Sequence, residues 1–349
     1  MSRRVRDLSR GFTGRRTFAG ERYLSDPELL GAYLLHFWPL SYAQARLCLE
    51  MILRAHNGRP LRAALDLGAG PGPMSLALLE AGVGNVLACD RSNAALSLAR
   101  KIAAEHAHTL RTQQWDAMKS TGMPAGPFDL IALGHTLNEL WAGHPDRIAL
   151  RVSLLERLGA LLAPGGRLLI VEPALRETAQ EAIHVRNALA RGGFTIVMPC
   201  IWQADCPALP SGTCHGEFDW KPPAEMTRLA HAARIGRETL KMAWFVLRSR
   251  DSAVMAEPNP AASPDGGLYR VVSEPLLSKS GRIRYLVCGP WGRFALSAAK
   301  DCSGPGVKPF FSMKRGDVIR FSGASSRETG WGLDASSRVE AVERSPRMV

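Results

Sequence analysis

Three thiols stand close together in the chain, Cys200, Cys206 and Cys214, among Pro199, Pro207, Pro210 and Gly212, and a fourth, Cys288, follows far downstream. Soft sulfur donors gathered on an irregular loop suit zinc or an iron–sulfur cluster, both of which usually take four ligands. Cys288 ends an apolar run before Gly289-Pro290 and is the best fourth thiol. Cys302, in a loop, is a poorer one, and His215 beside Cys214 is a local alternative that would favour zinc. By spacing alone zinc, a cluster and unligated thiols all remain open, and the missing Cys-x2-Cys knuckles tilt the reading toward a cluster. Cys48 and Cys89 fall inside a helical and a strand-like run and read as packed apolar thiols.

A second group lies upstream in Ala64-Leu65-Asp66-Leu67-Gly68-Ala69-Gly70-Pro71-Gly72. Gly68, Gly70 and Gly72 let the backbone turn sharply after a strand and approach a ligand closely, as a nucleotide-cofactor loop requires. The next strand ends in Asp90, placed to accept hydrogen bonds from a ribose diol, and Asp116 ends the one after, where an acid can meet an adenine amino group. The spelling Asp-Leu-Gly-Ala-Gly-Pro-Gly resembles the first motif of class I S-adenosylmethionine-dependent methyltransferases, which implies that Asp66 and the glycines face the methionine part of that cofactor. A strand and a helix also join through glycines for packing alone. After the fourth strand, Gly134-His135-Thr136-Leu137-Asn138-Glu139-Leu140 holds neither an Asn-Pro-Pro-Tyr type motif nor a Pro-Cys nucleophile. His135 and Glu139 are candidate bases, equally readable as residues that hold local structure, so the sequence assigns no catalytic residue and leaves enzymatic activity open.

The elements that must carry these residues alternate. Strand and helix candidates follow one another at 62–67, 73–80, 85–90, 94–106, 110–115, 129–133, 146–162, 167–171, 175–190 and 195–198, with 242–248 as a last strand. This predicts an α/β domain with a parallel sheet and helices on both faces. The expected organisation is a disordered basic arm at 1–20, which holds Arg3, Arg4, Arg6, Arg10, Arg15 and Arg16, and N-terminal helices at 21–60, broken near Pro39. A Rossmann-like domain follows at 61–248, with the cysteine-rich metal-binding insertion at 199–218 on the sheet's edge. A Ser/Ala/Pro/Gly-rich linker at 249–267, a small C-terminal β domain at 268–335 and a fraying tail at 336–349 complete it.

With 349 residues, 46% apolar and 22% charged, the composition is ordinarily globular. No apolar run is long enough for a membrane helix and the start lacks the apolar core of a signal peptide, so a soluble intracellular protein is expected. Seven cysteines without a short-range pairing framework fit a reducing compartment. A net charge of +12 favours polyanionic partners, nucleic acid above all, beside the plainer reading of a solvated basic surface; Lys308, Lys314, Arg315 and Arg320 are the β-domain candidates for phosphate contact.

Taken together, Pro199-Cys200, Asp205-Cys206-Pro207, Thr213-Cys214-His215 and Leu286-Val287-Cys288, with Leu137-Asn138-Glu139-Leu140 and Val171-Glu172-Pro173 upstream, resemble the methyltransferase-like family of the mitochondrial small ribosomal subunit and its bacterial relatives. The likeness covers roughly residues 20–335. It implies a class I methyltransferase fold binding S-adenosylmethionine, a 4Fe-4S cluster on Cys200, Cys206, Cys214 and Cys288, and association with small-subunit ribosomal RNA during ribosome assembly or translation. The compartment would be cytoplasmic in a bacterium and mitochondrial in a eukaryote. Ile201-Trp202 departs from the Pro-His that often follows the first thiol, which touches the surroundings of the cluster and not its ligands. Two other functions stay in view: an inactive assembly factor using the fold as an RNA-binding platform, and a zinc-containing methyltransferase acting on protein or a small molecule.

Overall fold

The computed structural model describes residues 1–13, 26–55, 59–119, 121–210, 212–236, 239–249, 264–279 and 281–346. Its first element corrects the expectation of a disordered arm, because Ser2–Thr13 forms a helix, α1. Val5 and Leu8 share one face and are completely buried against Leu29, Ala32, Phe37 and Ala233. Burying two aliphatic side chains is worth a few kcal/mol, about 1.5–3 each, which offsets the ordering of a short basic segment. Arg6 donates to the carbonyls of Ala232 and Ala233, the open end of the helix Ala224–Ala233, where a cation meets the negative pole of the helix dipole. Arg15 and Arg16 lie outside the described residues.

Asp26 caps α2 (Pro27–Ala32) through its carboxylate, which accepts from the N–H groups of Glu28 and Leu29. A π-helical turn, Tyr33–Phe37, leads into α3 (Trp38–Ala55). The break expected near Pro39 therefore appears as a widened turn in a continuing helix, since proline offers no N–H to the carbonyl one turn back. Arg167 closes the far end of α3 by donating to the Ile52 and Ala55 carbonyls.

The main domain then runs β1 (Ala63–Leu67), α4 (Pro73–Glu80), β2 (Asn85–Asp90), α5 (Asn93–Glu105), β3 (Arg111–Gln114), β4 (Phe128–Gly134), α6 (Arg147–Gly159), β5 (Leu162–Pro173), α7 (Arg176–Arg191), β6 (Thr195–Met198), β7 (Gly216–Asp219), α8 (Ala224–Ala233) and β8 (Thr239–Arg248). The sheet order is β3-β2-β1-β4-β5-β8-β6, with β7 paired to β8. The sheet is not wholly parallel as expected: β8 runs antiparallel between β5 and β6. Asp219 at the end of β7 pairs with Thr239 at the start of β8, so α8, packed on α1, joins two neighbouring strand ends and β8 runs back antiparallel. Alternation along the strands feeds two cores. Leu169 and Val171 point toward α3, α4 and α5, while Leu168 and Ile170 point toward α6 and α7.

The C-terminal domain is a second sheet: β9 (Leu268–Val271), β10 (Leu276–Leu277), β11 (Arg282–Gly289), β12 (Gly292–Ala299), β13 (Val318–Ser322), β14 (Ser325–Arg327), β15 (Gly330–Leu333) and β16 (Arg338–Glu343). Its order is β14-β15-β12-β11-β9-β13-β16, an open path, with β10 beside β11. Tyr269, Tyr285, Phe310 and Phe321 fill its core. The expected tail at 336–349 is corrected in part: Arg338–Glu343 pairs with β13 and Val339 joins the core, so the domain extends to 343. Residues 347–349 and most of the expected linker, 250–263, lie outside the described residues.

Candidate functional site

The glycine loop sits at the carboxyl end of β1, where ligands of open α/β sheets bind. Gly68, Gly70 and Gly72 all have left-handed backbones, φ 71, 52 and 80°, which side chains other than glycine rarely adopt. Their surroundings differ. A Cβ on Gly68 would fall inside the Thr136 side chain, and one on Gly72 would meet Ala99 at 2.9 Å, whereas nothing lies within 4 Å of the position a Cβ would take on Gly70. Two of the glycines thus serve close packing, and Gly70 borders open space that a ligand can fill. Asp90 Oδ2 accepts from the Gly70 N–H at 2.8 Å, and its Oδ1 accepts from the Ser92 N–H at the head of α5. Each oxygen keeps a second lone pair for a hydroxyl. Asp116 Oδ1 accepts from Met118 N–H at 3.0 Å at the end of β3. Trp38, at the start of α3, donates its indole N–H to the Pro71 carbonyl and ties the N-terminal helices to the loop.

Asp66 does not face the open space. It is 1% exposed, its Oδ2 accepts from the Ser75 hydroxyl at 2.6 Å, and burial pushes its carboxyl up to about 7, with Asp90 adding to the rise and Ser75 opposing it. It anchors the first turn of α4 beneath the loop. Glu172, at the end of β5, is likewise buried and pushed up to about 7 by burial, against the pull of Asn138 and Arg151. Asn138 donates to it through both its backbone and side-chain nitrogens. His135 has a left-handed backbone, φ 58°, and its Nε2 lies 2.7 Å from Gln44 Oε1. Gln44 donates its amide N–H to the Lys241 carbonyl, so the oxygen that meets His135 must accept, and the imidazole carries a proton on Nε2.

The cysteine stretch follows the edge strand β6 and is shaped by α7. Asn187 Oδ1 accepts from the Cys206 N–H at 3.0 Å, Gln180 donates to the Gly212 carbonyl, and Arg186 donates to the Trp202 and Ala204 carbonyls. Cys288 arrives from β11 of the other domain. The four thiols lie within electrostatic reach of one another. Burial pushes the Cys288 thiol up, and the charges of Cys200, Cys214 and Cys206 push it further. Cys214 is pushed up to about 12 by burial, then by Cys200 and Cys206. Cys200 is raised by burial, against the Arg186 guanidinium. Among the described residues no group of three or more His, Cys, Asp or Glu side chains is drawn together tightly enough to hold a metal ion. Four soft sulfur donors are the ligand chemistry that zinc and iron–sulfur clusters both take, so the donor set does not choose between them. His215 turns to Glu217, 3.9 Å away, and Cys302 packs against the separate core of the β domain. Cys48 and Cys89 are fully buried, as their periodic surroundings implied.

The β domain docks beside the thiols through basic side chains. Arg293 donates to the Thr213 carbonyl at 3.1 Å, Arg315 to the His215 carbonyl, and Lys314 lies 3.2 Å from Asp219. Lys314 and Arg315, expected to contact phosphate, thus bind the neighbouring domain, and Arg320 pairs with Glu340. Sequence reasoning missed Gln44, Arg186 and Arg270. Arg186-Asn187 interrupts the apolar repeat of α7, a signal that was legible. Gln44 and Arg270 carry none, since their partners lie across the tertiary fold.

The model of the family described as mitochondrial small ribosomal subunit Rsm22 matches residues 28–317. The ribosomal protein L11 methyltransferase of Pelobacter propionicus is 30% identical over 152 residues, 43% of this chain and 42% of that protein, so the match spans under half of that relative's length. Among solved structures, magnesium protoporphyrin IX methyltransferase from Synechocystis PCC 6803 with bound SAM is 15% identical over 70% of this chain and 97% of that one, with a TM-score of 0.41. A putative RNA methyltransferase from Pyrococcus horikoshii is 12% identical over 60% and 85%, with a TM-score of 0.39. With the family model matched across both domains and through all four clustered cysteines, the chain belongs to the mitochondrial small ribosomal subunit Rsm22 family.

Proposed function

We propose that the protein is an S-adenosylmethionine-binding, iron–sulfur-containing, methyltransferase-like factor that acts on small-subunit ribosomal RNA or the assembling small subunit. The observation that carries this reading is that Arg293, the cross-strand neighbour of Cys288, donates to the Thr213 carbonyl beside Cys214, which sets the strand of the fourth thiol against the cysteine loop. Bound there, the 4Fe-4S cluster would supply a rigid inorganic cross-link between the domains. In the cofactor pocket, S-adenosylmethionine would supply an electrophilic methyl group. Gly70 leaves room for it; Asp90 would accept from ribose hydroxyls and Asp116 from the adenine amino group. The deciding experiment is anaerobic purification with iron, sulfide and zinc analysis. Four irons and four sulfides per chain support the reading, and stoichiometric zinc without iron overturns it.

A second reading, an RNA-binding platform without turnover, is favoured by the end of β4. His135 is held by Gln44 from the N-terminal helices, and Thr136 packs into the space beside Gly68, so this loop is built as structure. Labelled methyl incorporation into immature small subunits separates the two. Tight cofactor binding with no incorporation selects the platform.

A further inference from the structure

The thiol site is ringed by arginine. In the β domain, Cys288 is flanked across both neighbouring strands by cations, pairing with Arg270 of β9 and with Arg293 of β12. Arg293 reaches over to the Thr213 carbonyl next to Cys214, and Arg315 reaches the His215 carbonyl on its other side. From the main domain, Arg186 spans the loop between Cys200 and Cys206. Arg186 is 1% exposed, and the Nε atoms of Arg186 and Arg270 are buried with no hydrogen-bonding partner among the described residues. A buried guanidinium N–H without a protein partner is available to negative charge placed beside it. Carboxylates offset these charges unevenly. Glu217 and Glu274 lie near Arg315, and the exposed Glu343 stands 3.9 Å from Arg270. No carboxylate pairs with Arg186 or Arg293 among the described residues.

We infer that Arg186, Arg270, Arg293 and Arg315 form a cationic shell, drawn from both domains, that stabilises added negative charge at the four-thiol site and raises its one-electron reduction potential. The inference rests on the iron–sulfur reading of that site. One electron taken from a low-potential one-electron reductant such as dithionite, which is oxidised in turn, makes the occupied site one charge more negative with no proton taken up. Nearby fixed positive charge in a low dielectric favours that state, and net charge and hydrogen bonding to sulfur are the protein's means of setting such potentials. These arginines are positioning residues, since they act on the site's charge and ligate nothing.

The test is a dithionite titration of the full-length, anaerobically purified holoprotein, followed by visible absorbance and electron paramagnetic resonance. Arg270→Gln and Arg293→Gln should each retain iron and sulfide and shift the reduction equilibrium at least tenfold toward the oxidised form, a fall of about 59 mV or more for one electron. Arg270→Lys, which keeps the charge, should recover most of the shift. Arg282→Gln, which removes an arginine elsewhere in the β domain, should leave the potential in place. Glutamine variants with full iron content and an unchanged potential overturn the inference while leaving the cluster assignment intact. A wild-type protein that takes up no iron overturns both.

Discussion

Asp66 and Glu172 occupy the carboxyl ends of adjacent regions of the sheet, and both are carboxyls that burial raises to about 7. In the unfolded chain they ionise near 4, so between about pH 4 and 7 the folded state binds protons that the unfolded state has lost. Their contribution to stability is therefore complete below about pH 4 and is lost as pH rises through 7. Asp66→Asn keeps an oxygen for the Ser75 hydroxyl and cannot ionise. Urea midpoints at pH 5 and pH 8 should show the wild type losing stability and the variant losing less, by up to about 2.5 kcal/mol, since about two units of the shift lie between those pH values. Identical losses in both proteins would refute the assignment. Glu172 acts in the same direction in both, so only the difference between the two proteins reports Asp66.

At the scale of elements, the loop between β1 and α4 separates packing from binding. Gly68→Ala would drive a methyl group into Thr136 on a left-handed backbone, and it should cost several kcal/mol of stability. Gly70→Ala meets no neighbour, so only the backbone penalty of about 1–2 kcal/mol applies. Its methyl group would nonetheless stand in the ligand space. Thermal unfolding and calorimetric titration with S-adenosylmethionine should show Gly70→Ala destabilised less than Gly68→Ala, with affinity reduced more than tenfold. Retention of full affinity by that variant would remove Gly70 from the binding site. At the N-terminus, Leu8→Ala empties a buried position that joins α1 to α8 and should cost about 2–4 kcal/mol locally. Hydrogen exchange should quicken in α1 while β4 and β5 stay protected.

For the whole molecule, the question is how the positive charge is divided. Arg293, Lys314 and Arg315 hold the domains together, while Arg284 and Arg327 are exposed, with no ion pair among the described residues. Arg327 also acts on Arg282 as a like charge. Binding of single-stranded ribosomal RNA should therefore weaken steeply with salt, and replacing Arg284 and Arg327 by Gln should shallow the logarithmic slope by about 0.7 for each phosphate that is no longer neutralised. Lys314→Gln should leave that slope unchanged and loosen the docked β domain, which limited proteolysis near residues 250–263 would register. Cys288→Ser should have the same proteolytic signature through loss of the shared site. If it keeps wild-type iron content and resists cleavage like the wild type, the site does not couple the domains.

The order of strands and helices from β1 to β6 and the glycine loop were legible in the chain because each depends on local periodicity or on backbone conformations only glycine takes easily. The helical state of residues 2–13 was not, since a basic segment becomes ordered only when Val5 and Leu8 find a distant surface. Nor was the direction of β8, fixed by the antiparallel pairing of its start with the end of β7. The same holds for the roles of Lys314, Arg315, Arg270 and Gln44. Such pairings are made between residues far apart in sequence, and a side chain's charge or amide does not name its partner. The amino-acid sequence determined which groups could do chemistry, and the tertiary structure decided which of them meet.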